Sequence, residues 1–203
     1  MSPSTPSEET RLTLLHRVRN QADSESWSEF VALYEPLLMS YVLGQGLPGH
    51  DARDVVQDIF IKLFRALPKF EMDPRRGRFR TWLWQVTSTT VVDWARRRKR
   101  QAKTEEAVRQ RLTSLAGSRP EPEPGWQDAY HQRVMDYVLE QVREKSQPRT
   151  WACFEQHLLV GRPSADVARE LGLTVNAVNA NSSRVLARVR EMCAYYREEL
   201  GDE

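Results

Sequence analysis

Apolar residues recur along this chain at spacings of three and four, the period of an α-helix, and alternating strand-like runs bounded by turns do not occur. Ser26 to about Gln45 gathers Trp27, Phe30, Val31, Tyr34, Leu37, Leu38 and Tyr41 on one side of a helix. Asp51 to about Leu67 repeats Val55, Ile59, Leu63 and Leu67 at every fourth position, with Val56 and Phe60 beside them. The breaker-rich run GQGLPGHD (Gly44–Asp51) separates the two. Pro36 is expected to kink the first helix or divide it, and Pro68 to end the second. Ser7, followed by Glu8 and Glu9, is expected to cap an earlier helix reaching about Asn20.

After a Pro- and Gly-containing loop (Lys69 to Gly77), RFRTWLWQVTSTTVVDWARRRKR (Arg78–Arg100) reads as a long helix. At 100° per residue, Phe79, Trp82, Leu83, Val86, Thr90 and Trp94 share a broad face expected to be core. Trp84 falls outside that arc, suited to packing on another helix or to contact. Residues 101–125 end in SRPEPEPG, which cannot pack a core and reads as a semi-rigid extended linker. From Trp126, Tyr130, Val134, Tyr137, Val138 and Val142 make a further helical stripe, and Pro148, Gly161–Pro163 and Gly172 divide the rest of the chain into at least three more helices. The expected fold class is all-α: two small helical domains joined by a flexible linker, the second containing a helix-turn-helix. The bounds are a disordered lead-in over 1–10, a first domain over 11–100, the linker over 101–125 and a second domain over 126–203.

Charge sharpens this picture. The whole chain of 203 residues carries a net charge of only +2, but residues 71–103 hold ten basic and three acidic side chains. A local patch of that sign is the usual footprint of a polyanion, and its tryptophans and Phe79 add stacking surface suited to unpaired bases. Two plainer readings compete: a charge run is often a solvated face, and cations are favoured at a helix C-terminus. The two cysteines, Cys153 and Cys193, lack metal-ligand spacing, and the four histidines form no triad-like or ligand-like group, so no enzyme and no cofactor is expected. No run approaches the roughly 20 apolar residues of a membrane span, and MSPSTPSEET lacks a signal-peptide pattern, so a cytoplasmic location is expected.

SADVARELGLTVNAVNANSSRVLARVRE (Ser164–Glu191) carries the more specific signal. Ala168 is small where two helices would cross, Gly172 supplies a tight turn, and Val178 packs the second helix back, with Val167, Leu171 and Leu173 completing the apolar set. Thr174 is the expected N-cap. On the second helix Val175, Val178, Val185, Leu186 and Val189, with Ser182, form the expected buried arc. Ala177, Ala180, Asn181, Arg184 and Arg188 face away, and Asn176, Asn179 and Ser183 lie on the flank. Asn can read adenine and Arg guanine or phosphate, but this helix is sparsely charged and should bind DNA weakly alone.

With both halves in view, the chain resembles a bacterial sigma-70-family sigma factor of the extracytoplasmic-function type, over about Trp27–Arg100 and Pro148–Glu191. DARDVVQDIFIKLFRALPKF with GRFRTWLWQVTSTTVVDWARRRKR resembles the core of that family's first domain, and PRTWACFEQHLLVGRPSADVARELGLTVNAV its second. The resemblance implies a factor that binds core RNA polymerase and directs promoter recognition and melting. It implies docking on the β′ subunit through Asp54, Gln57, Asp58 and Phe60, with Ile61 and Phe64 in support. It implies that Phe70, Phe79 or Trp82 line or support a pocket for a flipped base of the −10 element. Arg75, Arg76, Arg78 and Arg80 would then hold the separated strand, and Arg96, Arg97 and Lys99 meet upstream duplex phosphates. The Ser164–Arg190 unit would read the −35 element, and the acidic linker would thread towards the polymerase active site. The implied partners are core polymerase (β′ and β subunits) and promoter DNA, with an anti-sigma factor admitted. At Asn179, Asn181 and Ser182, and at Thr89, the chain departs from many relatives, which carry Lys or Arg near the first three and often Asn at the last. The chief rival reading is a stand-alone helix-turn-helix regulator, which leaves the DARDVVQDIF helix without a task.

Overall fold

The computed structural model describes residues 13–70, 79–101 and 122–196, with side chains 99–101 left aside. Among these residues no strand forms. Helices α1 (Leu14–Val18), α2 (Ser24–Gly44), α3 (Gly49–Ala66), α4 (Phe79–Gln101), α5 (Trp126–Glu144), α6 (Pro148–Phe154), α7 (Ser164–Leu171) and α8 (Val175–Tyr195) follow in chain order. The all-α fold class is therefore correct. The chain divides into two compact units between Arg133 and Val134.

In the first unit α2 packs on α3 and α3 on α4. Phe30, Leu33, Leu38, Ile59, Leu63, Leu67, Phe79, Leu83 and Trp84 are buried. Each such side chain contributes about 1.5–3 kcal/mol when fully removed from water. Helix α1 is capped by Thr13, whose hydroxyl accepts from the His16 amide at 3.4 Å; Ser7, the expected cap, lies outside the described residues. Helix α2 is capped by Asp23, which accepts from the Ser26 amide at 2.9 Å. It runs unbroken through Pro36 rather than dividing there. Proline lacks the N–H that would satisfy the Ala32 carbonyl, and its ring strains the neighbouring bonds. Arg133 supplies donors from outside the helix: its Nη2 donates to Ala32 O at 3.0 Å and its Nε to Leu33 O at 2.9 Å. Pro68 does end α3, within a single 3₁₀ turn at Leu67–Lys69.

The face of α4 differs from expectation. Leu83, Trp84, Thr87, Ser88, Thr90, Val91 and Val92 are buried, whereas Trp82, Val86 and Trp94 are only partly covered. The core arc is thus centred on Thr87 and turned by roughly a quarter-turn from the face that the largest side chains suggest. Small polar residues lie inside it because their hydroxyls have helix partners: Thr87 Oγ1 donates to Leu83 O at 2.8 Å and Thr90 Oγ1 to Val86 O at 2.6 Å.

The division inside α5 corrects the expected start of the second domain at Trp126. Residues 126–133 belong with the first unit because they are anchored there. Trp126 Nε1 donates to Arg80 O at 3.1 Å, and the buried Tyr34 and Tyr130 hydroxyls share a hydrogen bond of 3.0 Å.

The second unit packs α6 and α7 on α8. Cys153, Val167, Ala168 and Val178 form its buried cluster, with Leu171 and Leu173 against it. Gly172 ends α7 in the left-handed region at φ 61°, a conformation that costs L-residues roughly 1–2 kcal/mol. Thr174 then caps α8 as expected, accepting from the Ala177 amide at 3.1 Å. Arg149 of α6 closes the other side of this turn, its Nη2 donating to the Leu171 carbonyl and, at 3.2 Å, to the Gly172 carbonyl. Val175, expected in the buried arc, is 41 % exposed because the first turn of α8 projects past the α7 contact.

Candidate nucleic-acid and partner interfaces

Helix α3 turns two different faces outward. Asp54, Gln57 and Ile61 are exposed at spacings of three and four and form one stripe, with Asp58 half-exposed beside them. Phe60 and Phe64 lie on the flank and pack against Trp27, with centroid distances of 6.1 Å and 4.9 Å. Of the six residues expected to dock a partner, three therefore make a free surface, and the two phenylalanines brace it. Asp58 is already engaged across the helix pair: its carboxylate lies 3.5 Å from Arg97 Nη2.

Helix α4 runs antiparallel to α3. Lys62 Nζ donates to Thr90 Oγ1 at 3.0 Å and lies 3.7 Å from Asp93, while at the other end Asp51 pairs with Arg98. Arg96 and Arg97 are exposed. Besides the Arg97–Asp58 pair, Arg96 approaches Asp93 at 3.9 Å and Arg97 Nε donates to the Asp93 carbonyl at 3.4 Å. Trp94 sits beneath this run, with the Arg98 guanidinium 5.1 Å from its ring centroid.

At the other end of α4, Phe70, Phe79 and Trp82 come together as expected. The Phe70–Trp82 centroids are 4.5 Å apart and those of Phe79–Trp82 5.6 Å. Phe79 is wholly buried, against Phe30 and Tyr34, so it can support an exposed ring but cannot itself offer a face. Trp82 and Phe70 are the partly accessible pair. Arg80 is turned towards α5, its Nη1 3.1 Å from His131 Nε2. A guanidinium only donates, so that ring nitrogen is the acceptor in this contact. Arg75, Arg76 and Arg78 lie outside the described residues, as does the side chain of Lys99.

In the second unit the outward face of α8 is rotated from the expected one. Asn176, Asn179, Ala180, Ser183, Arg184, Ala187 and Arg188 are exposed, whereas Ala177 and Asn181 are half-buried. Asn181 bridges inward, its Nδ2 3.6 Å from Cys153 Sγ and its Oδ1 accepting from Arg184 Nη1 at 2.8 Å. Asn176 and Asn179, read from the sequence as flank residues, are thus better presented than Asn181. Three consecutive apolar residues, Leu158, Leu159 and Val160, are exposed at 42 %, 51 % and 61 % on the turn before α7. Among the described residues no group of His, Cys, Asp or Glu gathers to hold a metal, and no helix is long and apolar enough to cross a membrane.

Residues that sequence reasoning missed are those that act between elements. Arg133, Arg149 and His131 carry no local signature, because their partners are backbone carbonyls or side chains tens of residues away. Asp51 likewise carries no local sign of its partner Arg98, 47 residues further along the chain.

Comparison with known proteins places these observations. Residues 30–101 match the family model for sigma-70 region 2, which covers α3, α4 and most of α2. The extracytoplasmic-function RNA polymerase sigma factor SigE of Mycolicibacterium smegmatis is 26 % identical over 197 residues, covering 96 % of this chain and 72 % of that protein. The RNA polymerase sigma factor CnrH of Cupriavidus metallidurans is 27 % identical, over 82 % of this chain and 86 % of its own length. The extracytoplasmic-function sigma-E factor of Escherichia coli K12 is 33 % identical across 42 % of each chain. A solved structure of CnrH with the cytosolic domain of CnrY matches at 22 % identity over 89 % of this chain and 95 % of that one, with a TM-score of 0.35. Residues 30–101 are thus a sigma-70 region 2, and the chain is similar along most of its length to extracytoplasmic-function RNA polymerase sigma factors, which are initiation factors rather than enzymes.

Proposed function

We propose that this sigma factor docks on core polymerase through the Asp54–Gln57–Ile61 stripe of α3, opens the −10 element with the Phe70–Trp82 pair and α4, and reads the −35 element with α8. The observation that carries the reading is the arrangement of α3 and α4. One helix offers an exposed acidic and apolar stripe, and its antiparallel neighbour offers exposed arginines at one end and aromatic rings at the other. A mixed polar and apolar stripe suits a reversible protein interface. Rings that stack an unpaired base offset the few kcal/mol that unstacking costs. On α8, Asn176 and Asn179 are placed to meet base edges and Arg184 and Arg188 to meet phosphate. With only Arg184, Arg188 and Arg190 as cations, that helix supplies little affinity by itself. CnrH is described with the cytosolic domain of CnrY bound, which motivates a search for a protein inhibitor of this chain.

The test is transcription from a linear template with purified core polymerase, with open complexes detected by permanganate reactivity. The reading expects Trp82→Ala to lower open-complex formation more than closed-complex formation. Equal loss in both would assign Trp82 a structural role and remove it from the melting surface.

A further inference from the structure

The Asp51–Arg98 pair has a position that neither docking nor melting uses. Trp94, Arg97 and Arg98 of α4 and Asp51 of α3 line a cleft of about 310 Å³. Its floor is the half-covered indole of Trp94, which Arg98 overlies at 5.1 Å from the ring centroid. Asp51 is the more enclosed partner: its side chain is 14 % exposed, against 44 % for Arg98. Arg97 is likewise held by Asp58 at 3.5 Å. An aromatic face with two guanidinium groups is the chemistry that binds a phosphodiester beside a base. Here each guanidinium already has a carboxylate from α3.

We propose that the Trp94–Arg97–Arg98 cleft is a nucleic-acid backbone site and that Asp51 is its built-in counterion, holding Arg98 over the indole until a phosphate replaces the carboxylate. The inference rests on the reading that α4 meets DNA, and it adds a residue that opposes binding. An enclosed carboxylate beside the phosphate's seat repels it through a less screened path than an exposed one would. The free chain therefore binds DNA weakly, although α4 carries a dense basic run. Asp58 lies on the same helix as the docking stripe, so a partner that draws Asp58 away frees Arg97. By linkage, DNA in the cleft then favours the docked partner by the same factor.

The experiment is fluorescence anisotropy of the full chain with a labelled 12-nucleotide single strand and the matching duplex, across a salt series, for wild type, Asp51→Asn and Arg98→Gln. Asp51→Asn is expected to tighten binding to one or both DNA forms by about 3- to 10-fold, and Arg98→Gln to weaken it and flatten the salt slope by about one unit. The opposite signs are decisive, because a pair that only holds α3 to α4 gives weaker binding in both variants. Trp94→Phe should remove the part of the tryptophan quenching that appears on binding. Deoxyadenosine monophosphate is the control probe, and binding as tight as that of the 12-mer would overturn the nucleic-acid assignment in favour of a free-nucleotide site. No change, or a loss, with Asp51→Asn overturns the counterion. Co-elution with core polymerase is measured on the same samples, so failure of this proposal stays separable from failure of the sigma reading.

Discussion

Arg133 and Pro36 are the residue pair that fixes how α2 is held. A proline in mid-helix ordinarily costs about 3 kcal/mol or more, through a lost hydrogen bond and a steric clash. One guanidinium recovers part of that by bonding two carbonyls at once. Arg133→Met keeps the aliphatic stem and removes the donors, so it should lower stability by about 1 kcal/mol, read as a shift in the urea midpoint. No shift would mean that water serves the carbonyls equally well. Asp23 shows the same dependence on a charged partner. The Ser26 amide, and after it Arg17, hold its carboxyl below the ordinary 3.8. Because the folded value is depressed, the unfolded chain binds more protons at acid pH. The stabilisation is complete above 3.8 and is lost as pH falls through the folded value. Asp23→Asn keeps a capping oxygen but not the charge, so its melting temperature should fall less than that of the wild type between pH 5 and pH 2, by about the share this one group contributes. Parallel curves would contradict this role. Neither pair was legible beforehand: Asp23 is six residues from Arg17, and Arg133 is about one hundred from Leu33.

At the scale of elements, the sequence was most legible where period and punctuation agree. Helix α3, the Gly172 turn and the Thr174 cap stand where apolar spacing and breaker residues put them, since those signals act within one or two turns. The faces of α4 and α8 were misjudged for one reason. Side-chain size is a poor guide to burial here: α4 buries Thr87 and Ser88 and leaves Trp82 and Trp94 half-covered. Thr and Ser satisfy themselves on their own helix and so enter a core at little cost, a choice decided by the neighbouring helices and not by the sequence of α4. The Asn181 error on α8 has the same origin, because its inward partner Cys153 lies on α6. The cap and turn can be tested directly. Thr174→Ala should cost about 1 kcal/mol by loss of the bond to the Ala177 amide, and Gly172→Val more than Thr174→Ala, because a β-branched residue resists φ 61°. Thermal melts of the full chain that rank the two in the opposite order would contradict the left-handed turn as the costlier feature.

For the whole molecule, the unit proposed to carry docking and melting includes more than region 2. It takes in the first two turns of α5, through Trp126, Tyr130 and Arg133. On the proposed function, this unit delivers DNA-binding surfaces to polymerase through one exposed stripe of α3. Asp58 is a poor probe of that stripe because it also serves Arg97, and Phe60 is a poor one because it packs on Trp27. Asp54 and Ile61 are exposed, one turn of α3 on either side of Gln57 and Asp58, and tolerate substitution without touching the core. The most direct measurement is size-exclusion co-elution of the purified chain with bacterial core RNA polymerase, for wild type and for Asp54→Arg combined with Ile61→Arg. A stable wild-type complex is expected, which the double variant loses while its circular dichroism and melting temperature stay near those of the wild type. A wild-type chain that fails to co-elute, or a folded double variant that co-elutes as well as the wild type, would contradict the proposed docking.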